Sequence, residues 1–226
     1  MANTGKLGFR VLPSPPRIHH DLLARFRGLA SPNLADAMGR FNFMDQGIRS
    51  RSGFPLCGLA VTVSCRPADN LMVHKALQVA EAGDIVVVST CGNTTSAVFG
   101  ELMCHTAVAK KLGGIIVDGA IRDVDGITRL GLPAFSRTVC AGGCDKDGPG
   151  EINVPVSCGG TVVAPGDIVV GDEDGVAVVP RAEAERVLAL VAELMEREKK
   201  RIAEIQAGAL YKAEIDEALR KKGVIE

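Results

Sequence analysis

The chain has 226 residues, enough for one sizeable buried core, with 46% apolar residues, 23% charged residues and a formal net charge of -1. That balance offers no broad basic field to nucleic acid, and with no Trp and a single Tyr there is little aromatic surface for stacking bases. No window approaches about 18 uninterrupted apolar residues, which excludes a helical membrane span. The N-terminus lacks the apolar core of a secretory signal and the seven cysteines are scattered, so a cytoplasmic protein with reduced thiols is expected.

Residues 1–17, rich in Pro and Gly, read as an N-terminal arm, 18–180 as a single α/β domain and 181–226 as a C-terminal helical extension. A first helix is expected over 18–28. Ser31-Pro32 reads as an N-cap followed by Pro at the first helical position, opening a second helix through Met38 that stops at Gly39. Residues 58–65 are rich in β-branched side chains and predict a strand. Asp69 or Asn70 caps a helix over about 71–81, and Gly83-Asp84 turns into a buried strand at 85–88. A helix over 100–112, a strand at 115–117 and a short strand at 131–135 follow, then a loop rich in glycine and charge at 141–150.

From 152 the pattern changes to hairpins, with a turn at 172–175 between two apolar runs. A long amphipathic helix is expected over 181–206 and a shorter one over 212–222. On the long helix Val187, Leu190, Val191, Leu194, Ile202 and Ile205 share one stripe, which Glu198 interrupts. A carboxylate on an apolar face is costly unless paired. Glu198 therefore reads either as an interface salt bridge or as an acid delivered to a neighbouring subunit's site.

The stretch 92–123 carries the chemistry. Twenty residues separate Glu101 from Arg122, a distance over which a helix followed by a strand can fold back. Gly100 at the helix start leaves the N–H groups of Leu102 and Met103 without intrahelical partners, which favours an anion such as a carboxylate. Arg122 offers a planar fork suited to the paired oxygens of a 2-oxo acid. Asp123 and Glu101 are hard oxygen ligands of the kind Mg²⁺ or Mn²⁺ accepts alongside water. Spacing alone also allows a blander description, with Arg122-Asp123 a surface turn and Glu101 a first-turn helix acid.

The run Gly100-Glu101-x20-Arg122-Asp123 resembles the G-D/E-x20-R-D signature of the 4-hydroxy-4-methyl-2-oxoglutarate aldolases. These are class II pyruvate aldolases that share a fold with the regulator of ribonuclease activity A. Asp69-Asn70-Leu71-Met72 with Ala82-Gly83-Asp84, Ile116-Val117-Asp118-Gly119, and Pro165-Gly166-Asp167 with Asp174-Gly175-Val176 are similar to the family in order and spacing, so the likeness spans roughly 20–222. The resemblance implies an α/β fold, a swivelling β/β/α-type sandwich with helical N- and C-terminal extensions. It implies a metal-dependent lyase that forms pyruvate from a 4-hydroxy-2-oxo acid and decarboxylates oxaloacetate.

By the same resemblance Asp123 binds Mg²⁺ or Mn²⁺ directly, Glu101 binds it through water, and Arg122 stabilises a pyruvate enolate. The Leu102 and Met103 amides hold the carboxylate, with Gly100 and the loop around Gly92 and Asn93 nearby. Asp36 matches an acid contributed by the adjacent subunit, where the family carries a glutamate, and Glu198 matches a C-terminal acid. A homotrimer or homohexamer with sites at subunit interfaces is implied. The fold's namesake supplies the alternative, a non-catalytic regulator that binds a ribonuclease or helicase. Other signals carry less: the four histidines lack zinc spacing, Cys140-x3-Cys144 lacks a second pair, and Lys110 and Lys111 lie on later helical turns, so no Schiff-base lysine is called for.

Overall fold

Apolar runs too continuous for a half-wet sheet set the architecture. A computed structural model describes residues 5–226; the first four residues of the expected arm lie outside the described residues. The remainder of the arm runs beside a later strand, with Leu12 N–H donating to the Ile152 carbonyl, Ile152 N–H donating to that of Arg10, and Arg10 paired with Glu151 at 2.7 Å. Helix α1 is His20–Ala24, shorter than expected because 25–28 continue as turns. Helix α2 is Ser31–Ala37. Its N-cap is Ala30 rather than Ser31, because the Ser31 hydroxyl and N–H both donate to the Asp172 carboxylate at 2.7 Å.

Strand β1, Arg49–Ser50, precedes β2, Leu56–Cys65. Helix α3, Leu71–Val79, leads to β3, Ile85–Phe99. Helix α4, Glu101–Ala109, leads to β4, Gly114–Ile121, and a short α5, Val124–Arg129, leads to β5, Ala134–Val139. Strands β6 (Gly150–Ile152), β7 (Val156–Cys158), β8 (Thr161–Val163), β9 (Ile168–Gly171) and β10 (Val176–Val179) follow. A 3₁₀ turn, Arg181–Glu183, opens the long α6, Ala184–Gln206, and α7 is Ala213–Lys221.

Strand order is β1-β5-β4-β3-β2-β9-β10, with β6 also on β2 and β7–β8 a separate hairpin. Strands β2 to β5 are mutually parallel and linked through α3, α4 and α5, while β6 and β9 pair antiparallel with β2. Parallel strands covered on both faces need apolar side chains throughout, which is why β4 is buried at every position. One core lies between the sheet and α3, α4 and α5, centred on Val86, Val88, Val117 and Ile121. A second, with Ile116 and Phe135, packs the opposite face against the β7–β8 hairpin. A third joins α1, α2, β9, β10 and the start of α6 through Phe26, Leu34 and Val187.

Two sequence expectations change here. Strand β3 does not stop at Val88; it runs to Phe99 with register shifts against β4 after Ser89, Asn93 and Ala97, so 92–93 lie within a bulged strand and not a loop. Helix α5, which was not anticipated, follows directly on Asp123. The α6 stripe is buried at Val187 and Val191, whereas Ile202 and Ile205 are 55% and 43% exposed. Among the described residues no helix is long and apolar enough to cross a membrane.

Candidate metal and oxo-acid site

All four parallel strands end at the same edge of the sheet, the edge where open α/β sheets bind ligands. Strand β2 runs out into Asp69-Asn70, β3 into Gly100, β4 into Arg122-Asp123 and β5 into the 140–149 loop. Together they enclose a cavity of about 330 Å³ lined by residues that include Gly100, Leu102, Met103, Arg122, Asp123 and Lys146. Larger hollows exist, one of about 550 Å³ beside Arg27 and Cys57 and one of about 520 Å³ beside Arg197 and Glu198, but neither is lined by Arg122, Asp123 or the start of α4.

Adjacent strands set the spacing. Phe99 and Ile121 are register partners on β3 and β4, so Gly100 and Arg122 leave the sheet side by side. Arg122 N–H donates to the Phe99 carbonyl at 2.9 Å, and Glu101 N–H donates to Asp123 Oδ2 at 3.1 Å. The Arg122 Nε lies 3.6 Å from the same Asp123 oxygen, with both side chains nearly half exposed. Among the described residues the N–H groups of Leu102 and Met103 have no acceptor, leaving two donors at the α4 N-terminus. Leu102 itself is 85% exposed at the lip.

Asp123 adopts left-handed backbone angles, φ 59° and ψ 39°, at the N-cap of α5. An L-residue other than Asn or Asp is rare there, and the conformation turns the chain sharply between β4 and the helix. Gly100 is close-packed against this turn: a Cβ at 100 would lie 2.6 Å from Asp123 Oδ2 and 3.1 Å from Arg122 Cγ. The missing methyl keeps that oxygen accessible. Glu101 turns the other way, toward Arg129 at 3.6 Å, with its carboxylate against Gly126.

The donor set fits a small hard cation. Asp123 offers one half-exposed carboxylate kept clear by a glycine, which suits Mg²⁺ or Mn²⁺, cations that take one or two carboxylates and retain several waters. Glu101, expected as the second, does not line the cavity and lies against Arg129 and Gly126. The set does not resemble an all-protein zinc cage. Among the described residues the closest three-ligand cluster is His19, His20 and Asp21, which is exposed and on α1's edge.

Several cavity residues were not singled out from sequence. Asn70, His74, Cys144 and Lys146 also line it. Burial and then the Lys146 ammonium push the His74 pKa down, and burial pushes the Cys144 thiol up, so neither a charged imidazole nor a thiolate is favoured there. The glycine-dense 141–150 stretch was the available signal, since such loops bring backbone close to ligands. Other expected site residues lie elsewhere within the chain. Asn93 accepts from Ser96 N–H at 3.2 Å, Asp36 pairs with Arg40 at 3.2 Å, and Glu198 accepts from Asn33 Nδ2 at 2.9 Å; none of the three borders the cavity.

Comparison with known proteins places this geometry in context. A family model described as Aldolase/RraA matches residues 31–178. A protein of Halalkalibacterium halodurans, provisionally named a 4-hydroxy-4-methyl-2-oxoglutarate aldolase, is 37% identical over 74% of this chain and 80% of its own. Among solved structures, Streptomyces coelicolor RraAS2, described as an unusual member of the RNase ES inhibitor RraA family, superposes with a TM-score of 0.75 at 25% identity, covering 82% of this chain and 98% of its own. The RNA-processing inhibitor RraA of Thermus thermophilis does so with a TM-score of 0.63 at 26% identity, covering 67% and 93%.

Proposed function

The chain belongs to the RraA-like Aldolase/RraA family and has its mixed α/β fold, and on that premise we propose that it is a divalent-metal-dependent lyase. It cleaves 4-hydroxy-4-methyl-2-oxoglutarate or a related 4-hydroxy-2-oxo acid to pyruvate and decarboxylates oxaloacetate. The observation that carries this reading is the meeting of Arg122, Asp123 and the free Leu102 and Met103 amides on one cavity.

Asp123 would hold Mg²⁺ or Mn²⁺ directly and Glu101 would hold it through water; when bound, the cation supplies Lewis acidity at the 2-oxo oxygen. The two α4 amides take the substrate carboxylate and fix its plane. Arg122 then reaches the 2-oxo oxygen, where negative charge collects as the C3–C4 bond breaks or CO₂ departs. Its guanidinium gains more from that charge than from the ketone, which is the condition for lowering the barrier. The proton lost from the 4-hydroxyl group during aldol cleavage is returned to C3, giving the methyl group of pyruvate.

The test is pyruvate formation from either substrate, read through a coupled lactate dehydrogenase, with Mg²⁺ or with EDTA. The rate should vanish in EDTA and return with metal. Removing the ligand in Asp123→Ala should lower it by at least about 100-fold. Pyruvate in neither assay, or full activity in that variant, would sink the reading.

Asp36 and Glu198 are proposed to complete the site from neighbouring subunits of a homotrimer or homohexamer. The support is that neither borders the cavity of its own chain and that the outer stripe of α6 is exposed. Glu198→Gln alone should be inactive, and mixing it with Asp123→Ala chains should restore partial activity; a fully active Glu198→Gln chain would place Glu198 outside the site, and mixtures that stay dead would remove its delivery from a neighbour. The RraA names of the structural neighbours favour a second reading, a regulator that binds a ribonuclease. Tight ribonuclease binding without any pyruvate formation would select it.

A further inference from the structure

The part of the cavity wall formed by residues 141–149 has little apolar packing of its own. Of residues 141–149 only Gly148 is buried, yet this loop supplies Gly143, Cys144 and Lys146 to the cavity. Gly143 packs within 3.2 Å, as a notional Cβ, of the Arg122 guanidinium, so the loop also backs the arginine. What fixes the loop is polar. The side chain of Asp69, 1% exposed, accepts the backbone N–H groups of Asp147 at 2.8 Å and Gly148 at 2.9 Å on Oδ2, and that of Leu71 at 2.9 Å on Oδ1. Backbone bonds flank it: Asn70 N–H to the Asp145 carbonyl, Asp145 N–H to that of Ala68, and Arg66 N–H to that of Pro149.

One carboxylate therefore joins the start of α3 to the loop, and its immediate neighbours on both sides are cavity residues. Asn70 follows it in sequence and Lys146 precedes one of its partners. Asn70 has a fixed orientation, because Nδ2 donates to the Val98 carbonyl at 3.2 Å and a carbonyl can take a bond only from the amide nitrogen. Its Oδ1 is buried and has no donor among the described residues. Asp69 itself does not line the cavity.

We propose that Asp69 is a positioning residue: its carboxylate clamps the 143–148 loop to the start of α3, holding Lys146 and Asn70 against the substrate while Arg122 and Asp123 do the chemistry. This rests on the lyase reading for the identity of the substrate. The clamp is assigned to ground-state binding because it acts through Lys146 and Asn70, neither of which pairs with the Arg122 guanidinium or the Asp123 carboxylate. Losing it should raise KM and leave kcat nearly unchanged.

Three measurements test this on the full-length protein. In Asp69→Asn, amide exchange at Asp147 and Gly148 should speed up by at least about tenfold while β3 and β4 stay protected. The KM for oxaloacetate should rise about tenfold with kcat within about threefold. Lys146→Met, at an exposed position that cannot unfold the core, should give a similar KM increase, and the double variant should be no worse than either single one. Oxalate affinity, measured calorimetrically with Mn²⁺, should fall in parallel, and it needs no turnover. Absent turnover with oxalate binding that weakens in Asp69→Asn would support the clamp while removing the lyase reading. Unchanged loop exchange, unchanged KM in Lys146→Met, or additive effects in the double variant would each overturn the proposal.

Discussion

Gly100→Ala separates the fold from the chemistry. Gly100 is extended, φ -154° and ψ -172°, so alanine adopts the same backbone without strain. As an N-cap alanine is poorer, which costs up to about 1 kcal/mol. Restricting the unfolded chain returns about 0.4–1 kcal/mol. The new Cβ, however, would sit 2.6 Å from Asp123 Oδ2 and 3.3 Å from Arg122 Nε. Ordinary contact begins near 3.4 Å, so the carboxylate must retreat by about 0.8 Å. It is the free end of a side chain and can do so without disturbing β4. Misplacing a reacting group by about 1 Å can cost about 100-fold, or roughly 2.7 kcal/mol of barrier.

Gly100→Ala should therefore melt within about 3 °C of the wild type. It should lose about 100-fold in kcat/KM for oxaloacetate and bind Mn²⁺ more weakly by calorimetry. Full activity and unchanged Mn²⁺ affinity in a folded variant would refute the reasoning, because the oxygen under that methyl would not be a working ligand. A loss matched by a large fall in melting temperature would refute it as well, since the damage would then lie in the fold.

Further outcomes rest on neighbouring contacts. Gly126→Ala would drive a methyl group into the Glu101 carboxylate inside α5, so activity should fall about tenfold while helix propensity adds up to about 1 kcal/mol of stability, read by chemical denaturation. Asp123→Gly should abolish metal-dependent pyruvate formation yet melt within about 2 °C of the wild type, because relief of left-handed strain offsets the lost bond to Glu101 N–H. The depressed His74 pKa means that the unfolded state binds more protons as pH falls below about 6.5, so His74 contributes stability at neutral pH that is lost on acidification. Lys146→Met should raise the His74 pKa partway, as followed by NMR titration, with burial holding it below the ordinary value.

Sequence reasoning located what periodicity and helix caps encode. The apolar runs of β2, β4 and β9 and the amphipathic α6 were legible because each element's pattern agrees with its burial. Residues 89–96 were not, because a polar, bulged strand edge has no local signature, and pairing with β4 alone makes it a strand. Ser31 looked like a cap because the residue type and the following Pro fit; the competing Asp172 partner lies 141 residues away. Gly100, Arg122 and Asp123, which border the cavity, were visible as a spacing together with Glu101, whose side chain turns away from it. The Asn70–Lys146 wall was not, since Asp69 brings together segments 78 residues apart.

Asp123 gives the molecule an asymmetric evolutionary exposure. In most active sites a lost ligand leaves a hole or an unpaired charge, and the fold resists the change. Here the residue offered to the cation sits in a backbone conformation that glycine adopts more easily. Drift away from metal chemistry is then close to neutral for folding, and only selection on turnover holds the aspartate in place. One scaffold could thus shed its ligand in some lineages and keep it in others without passing through an unstable intermediate, which would let lyases and ribonuclease inhibitors share this architecture.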